Sequence, residues 1–212
     1  MNISITDIRC NLQVALLGAV TSNLRAVTVT LLEKKLVLNF YYENEPTENE
    51  IDLAQVASTD VLSGFTILIS VEEQQIVLPQ SESIPLKNKD LLVYHRYEGH
   101  FLDKTTTFFK NTTFATINMA SQIALLGNVT SNLRAVLVDL IEKNLTFYFY
   151  YDEEISQEEV KLSEVVMHDA ILCFEDLTGN VKRFVVPEPE KKSFLDNGSS
   201  VYWRYEEYLI DD

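Results

Sequence analysis

The side chains that could do chemistry in this chain are few and scattered. Its three histidines, His95, His100 and His168, have neither a cysteine nor a second histidine at the spacing of a metal site. Cys10 and Cys173 are far apart in the chain and read as core or incidental thiols, not as a disulfide framework. There is no phosphate-loop pattern and no G-x-S-x-G elbow, and with only 6 glycines a glycine-rich cradle cannot be built. Carboxylates are abundant, and glycoside hydrolysis needs two of them. With 32 acids in the chain, however, carboxylate pairs arise by number alone. The expectation is therefore no catalytic residue, no metal ligand, no cofactor and no enzyme.

What the sequence does concentrate is acid beside tyrosine. Tyr41-Tyr42 is followed by Glu43, Glu45, Glu48, Glu50 and Asp52, and Tyr150-Tyr151 by Asp152, Glu153, Glu154, Glu158 and Glu159. Tyrosine combines a large apolar ring with a polar tip and is enriched at interfaces. A dense negative patch beside it suits a protein that masks a basic surface. Helix-dipole matching accounts for two or three of these acids in each cluster. The predicted partner-binding set is Tyr42, Glu43, Glu45, Glu48, Glu50, Tyr151, Asp152, Glu153, Glu154 and Glu158. The alternative for the tyrosines is that one of each pair fills the core. Asn23-Leu24-Arg25 and Asn132-Leu133-Arg134 also recur. Here the favoured reading is a turn asparagine and an arginine that pairs with a carboxylate across a sheet, ahead of an exposed grip on a partner.

These features come in twos because the chain is a tandem duplication. Residues 15–43, ALLGAVTSNLRAVTVTLLEKKLVLNFYYE, align without a gap to residues 124–152, ALLGNVTSNLRAVLVDLIEKNLTFYFYYD, with 20 of 29 positions identical. The likeness then weakens, and it returns at Tyr94, Arg96, Tyr97 and Glu98 against Tyr202, Arg204, Tyr205 and Glu206. The expected organisation is a first copy over 1–98, a linker over 99–113 and a second copy over 114–212. The aromatic residues of the linker predict that it is packed down.

Within a copy, the apolar spacing predicts a helix near 6–17 and 115–126, closed by Gly18 and Gly127. A hairpin follows, turning at Glu33-Lys34-Lys35 and Glu142-Lys143-Asn144. Thr47-x-x-Glu50 and Ser156-x-x-Glu159 predict capping boxes that open a second helix. Two closing strands are expected near 65–78 and 91–97, and near 174–186 and 201–206, with a small hairpin around Thr178-Gly179-Asn180 in the second copy. The fold class is α+β: an αββαββ unit twice, each a mostly antiparallel four-stranded sheet with two helices on one face. Duplicated units often associate as homodimers do, so a pseudo-dimer is a natural arrangement for the two.

The formal net charge is −15, and both parts are acidic: 8 Lys/Arg against 14 Asp/Glu in residues 1–108, and 9 against 18 in the remainder. Nucleic acid and anionic membrane are poor direct partners for such a surface, whereas a basic protein is its complement. The opening MNISITDIRC lacks a basic segment followed by an apolar one, and no apolar run reaches membrane-spanning length, so a cytoplasmic location is expected.

The run LLGNVTSNLRAV, the aromatic strand after it, the acidic capping loop and the closing VYWRYEE together resemble small α+β immunity proteins of bacterial polymorphic toxin systems. The resemblance covers most of the second copy and the first half of the first. It implies an antitoxin that binds and blocks a cognate toxin domain, often a basic nuclease, and it assigns no contact residue. The runner-up readings are an acidic secretion-type chaperone that wraps an unfolded effector segment, and a structural or interaction protein.

Overall fold

The computed structural model describes residues 5–65, 70–87, 90–99, 109, 111–187 and 198–205. The first copy contains α1 (Ile5–Leu16), β1 (Leu24–Leu32), β2 (Lys35–Tyr42), α2 (Glu48–Ser63), β3 (Ser70–Val77) and β4 (Asp90–His95). The second repeats the order with α3 (Phe114–Leu125), β5 (Leu133–Ile141), β6 (Asn144–Tyr151), α4 (Gln157–Ile171), β7 (Thr178–Val185) and β8 (Ser199–Trp203). The αββαββ reading holds for both copies.

Each copy has its own four-stranded sheet, ordered β3-β2-β1-β4 and β7-β6-β5-β8. The hairpin pair and the last strand run antiparallel, whereas β3 and β7 join β2 and β6 in parallel after the second helix has crossed over. Alternation along β2 explains which face is covered. Leu36, Leu38, Phe40 and Tyr42 are buried against the helices, while Lys35, Val37 and Asn39 between them are half-buried. Leu145, Phe147, Phe149 and Tyr151 repeat the pattern, and the three aromatic rings stack along the strand at 6.2 and 6.4 Å.

Both capping boxes form. The Thr47 hydroxyl accepts from the Glu50 backbone N–H while the Glu50 carboxylate accepts from the Thr47 N–H, and Ser156 with Glu159 does the same. A third box, Thr113 with Thr116, opens α3. Gly18 and Gly127 take φ of 76° and 71°, the left-handed conformation that ends a helix and that a side chain resists.

One expectation fails. Thr178-Gly179-Asn180 is not a hairpin turn but the start of the single strand β7. Gly179 is needed there for space: a Cβ on it would lie 2.2 Å from the Met167 sulfur and 3.1 Å from Ile171 Cγ2, both on α4. This is the close-approach role of a strand glycine. Residues 100–108 and 110 of the expected linker lie outside the described residues. Of it, Phe109 stacks on Phe174 at 5.6 Å and donates its N–H to the Cys173 carbonyl.

The contacts between the copies are reciprocal. Gly18 N–H donates to the Trp203 carbonyl (3.1 Å), and Gly127 N–H donates to the His95 carbonyl (2.8 Å). In return Tyr205 N–H donates to Val20 (2.9 Å) and Tyr97 N–H to Val129 (2.8 Å). Each loop after a first helix thus pairs in parallel with the end of the other copy's last strand. One buried apolar cluster contains Leu12, Leu16 and Tyr94 from the first copy together with Leu125, Val201 and Tyr202 from the second.

A Cβ at Gly18 would meet nothing within 4 Å, so Gly18→Ala isolates the cost of the backbone conformation. We expect a loss of about 1–2 kcal/mol, read as a lower urea midpoint at unchanged slope. An unchanged midpoint would contradict it.

Candidate partner-binding surface

The acidic corner is built where the loop after the first helix, the end of the hairpin and the start of the second helix meet. Asn23 ties the three together. Its side-chain oxygen accepts the Asn44 backbone N–H (2.9 Å), and its amide donates to Glu50 Oε2 (3.2 Å). Asn132 repeats both contacts with Glu153 N–H (2.7 Å) and Glu159 Oε2 (3.2 Å).

Glu50 is at the centre of this arrangement and faces inward. Besides Asn23 it accepts from the Thr21 hydroxyl (2.6 Å) and the Thr47 backbone N–H (2.8 Å). Burial opposes its charge, but the bonds from Thr21, Thr47 and Asn23 outweigh burial and hold its carboxyl below the ordinary glutamate value. Tyr42 and Tyr151 are also inside, each only 2% exposed. The Tyr42 hydroxyl donates to the Glu50 carbonyl (3.2 Å) and that of Tyr151 to the Glu159 carbonyl (3.4 Å). Burial first, then the charges of Glu50 and Glu73, push the Tyr42 phenol well above its usual range, so it stays neutral. Tyr41 and Tyr150 are buried as well, on the opposite face of each sheet. Of the ten predicted contact residues, Tyr42, Tyr151 and Glu50 therefore have their side chains committed to the interior.

Two more acids are matched by arginine. Arg96 donates to Glu43 Oε2 (2.7 Å) and to the Ser22 carbonyl (2.6 Å), while Arg204 donates to Asp152 Oδ2 (3.1 Å) and to the Ser131 carbonyl (2.6 Å). Glu43 and Asp152 thus clamp the closing strand to the corner. What remains outward is Glu45 and Glu48 in the first copy, and Glu153, Glu154 and Glu158 in the second. Among the described residues the first four make no side-chain ion pair. Glu158 accepts a hydrogen bond from the Tyr97 hydroxyl of the first copy (2.7 Å). Tyr205 of the second copy lines the first copy's corner in the corresponding place. Each corner is thus flanked by a tyrosine from the other copy. The sequence marks these two tyrosines only by their identity between copies, in Y-x-R-Y, and not as contact residues.

Arg25 lies at the same end of the sheet as the corner. Its side chain is 1% exposed and forms a bidentate pair with Glu98 (2.6 and 2.8 Å). Its remaining donors satisfy the carbonyls of Leu78 (2.7 Å), Pro79 (2.7 Å) and Glu82 (3.0 Å). A bulge in β1 between Leu24 and Ala26 sets it there. Arg134 follows suit with the Val186 carbonyl. The reading of these arginines as carboxylate-paired structural residues holds at Arg25. For Glu98, burial opposes the charge and the bond and charge of Arg25 overcome it, again lowering the carboxyl. Among the described residues no cluster of His, Cys, Asp or Glu could hold a metal ion, and no helix is long and apolar enough to cross a membrane.

A family model described as "MafI2 immunity protein" matches residues 5–98 and again residues 115–206. No curated protein matches the chain. Among solved structures, Era from Aquifex aeolicus bound to GDP.AlF4- aligns over 86% of this chain and 91% of that one, at 10% identity and a TM-score of 0.28, which is too low to bear on fold or function.

Two outcomes follow from the corner. Glu50 and Glu98 have folded values below their unfolded ones, so they stabilise the protein above the unfolded carboxyl value of about 4.3. That stabilisation is lost as pH falls through the lower folded values. Thermal melts taken between about pH 6 and about pH 3 should show Tm falling steeply in the native protein and less steeply in Glu50→Gln, which starts lower. Parallel curves would contradict this. Arg25→Ala removes the bidentate partner of Glu98, whose carboxylate also lies 3.8 Å from Arg96, and should cost about 3–5 kcal/mol in urea denaturation. A cost below about 1 kcal/mol, the size of a surface ion pair, would show that Glu98 needs no partner.

Proposed function

The chain belongs to the MafI2 immunity protein family, which its sequence carries twice, and from that premise we propose that it is a non-catalytic antitoxin that binds and occludes a cognate toxin domain. The match of the immunity model to both copies carries this reading. The contact surface follows from how the corner sorts its charges. The acids that hold the fold are satisfied from within, and Glu45, Glu48, Glu153, Glu154 and Glu158 are left facing solvent on a chain of net charge −15. Exposed unpaired acids attract a basic surface and speed its arrival. The partner in this reading is a basic toxin domain met in the cytoplasm.

The two copies, residues 1–98 and 114–212 joined by 99–113, act in this proposal as a fused pseudo-dimer. The reciprocal hydrogen bonds between them support that arrangement. It presents two similar acidic corners on one body, so the toxin's stoichiometry reads out whether one or both are used.

The test is titration of a candidate cognate toxin domain against the native chain and two charge-reversed variants, Glu45→Lys with Glu48→Lys, and Glu153→Lys with Glu154→Lys and Glu158→Lys. At least one variant should bind about tenfold more weakly at low salt and lose much of the native salt dependence. Unchanged affinity and unchanged salt dependence in both would exclude the corners as the contact surface. No binding by the native chain would exclude the antitoxin reading for that toxin.

A further inference from the structure

A cavity of about 30 Å³ lies between the two copies. Its wall is made of seven pairs of residues at corresponding positions, one member from each copy, and only one pair, His95 with Trp203, differs in residue type. Most of the wall is leucine, valine and tyrosine. The exception that both copies share is Gln13 with Gln122, and both are buried, at 5% and 7% exposure. Neither is well satisfied by protein. Gln13 Nε2 reaches the Val201 carbonyl only at 3.5 Å, and Gln122 Oε1 has no hydrogen-bond partner among the described residues.

We propose that this cavity is a hydration site, holding ordered water on Gln13 and Gln122, and that the wet polar pair fixes the reciprocal register of the two copies. About 10–15 Å³ of such volume accommodates one water, and a buried water needs two to four polar partners. The cavity has room for two or three, and the Gln122 oxygen, the Gln13 amide and the Val201 carbonyl supply the partners. A buried acceptor left dry is costly, whereas water restores its bond. An apolar contact between two helices tolerates sliding because one leucine replaces another. A polar pair that is satisfied only when both members reach the same water does not, and single buried polar residues fix register in coiled coils by the same logic.

The experiment uses the full chain. A high-resolution crystal structure should show water within hydrogen-bond distance of Gln122 Oε1, and Gln122→Met should lose it. A dry cavity, or a protein donor on that oxygen, would overturn the hydration site. For register, the double variant Gln13→Met with Gln122→Met should melt no lower than the native protein while its amide spectrum shows doubled peaks for Gly18 and Gly127, which make the reciprocal bonds. Single, unshifted peaks for both glycines would overturn the register role. If the double variant does not fold, the water outcome and the amide spectrum of Gln122→Met alone decide.

Discussion

The reciprocal closure between the copies constrains most of what is observed. After its first helix, each copy must turn sharply at a glycine, because the loop that follows donates and accepts backbone hydrogen bonds with the far end of the other copy. The same loop continues into Thr21 and Asn23, or Thr130 and Asn132, which hold the buried glutamate of the acidic corner. A single stretch of chain therefore joins the copies and shapes the corner. A change there would be felt at both places. That gives a physical reason for the near-identity of the two copies through this segment and for the return of identity at the closing strands, which supply the other half of the contact.

The corner separates two kinds of negative charge. Glu50 and Glu159 are inside, each accepting several hydrogen bonds, and they act as struts between loop, hairpin and helix. Glu43 and Asp152 are neutralised by the arginines of the closing strands. Of the remaining acids, Glu158 accepts the Tyr97 hydroxyl, and Glu45, Glu48, Glu153 and Glu154 make no side-chain ion pair among the described residues. Leaving like charges together on a surface is unfavourable for folding and useful for meeting a partner of opposite sign. The Arg25–Glu98 pair shows the contrast: a charge pair with its remaining donors satisfied by carbonyls is wholly absorbed by the fold.

The elements were legible where local chemistry decides them. Glycine after Leu-Leu, the Thr47 and Ser156 boxes, and alternation along LVLNFYY and LTFYFYY each act over a few residues. The place of β3 was not legible. SVEEQQIV carries weak alternation, and its parallel pairing with β2 is decided by the crossover of α2 and not by the strand itself. Gly179 misled because glycine serves turns and close approaches alike, and only α4 shows which is meant. The burial of Tyr42 and Tyr151 is not legible in the sequence for a related reason. A tyrosine at a strand end is amphipathic, and whether its ring faces in or out depends on a helix that arrives later in the chain. Separating Glu50 from Glu48 by role required knowing that Thr21 and Asn23 fold back onto it.

The account stands on the outward acids of the corners being where the toxin lands. Hydrogen exchange of the native chain, free and saturated with a candidate cognate toxin domain, reads this without altering a residue. The account predicts slowed exchange at the backbone amides of residues 43–49, of residues 152–158, or of both. Slowed exchange confined to the outer sheet faces, with both corners unchanged, would contradict it.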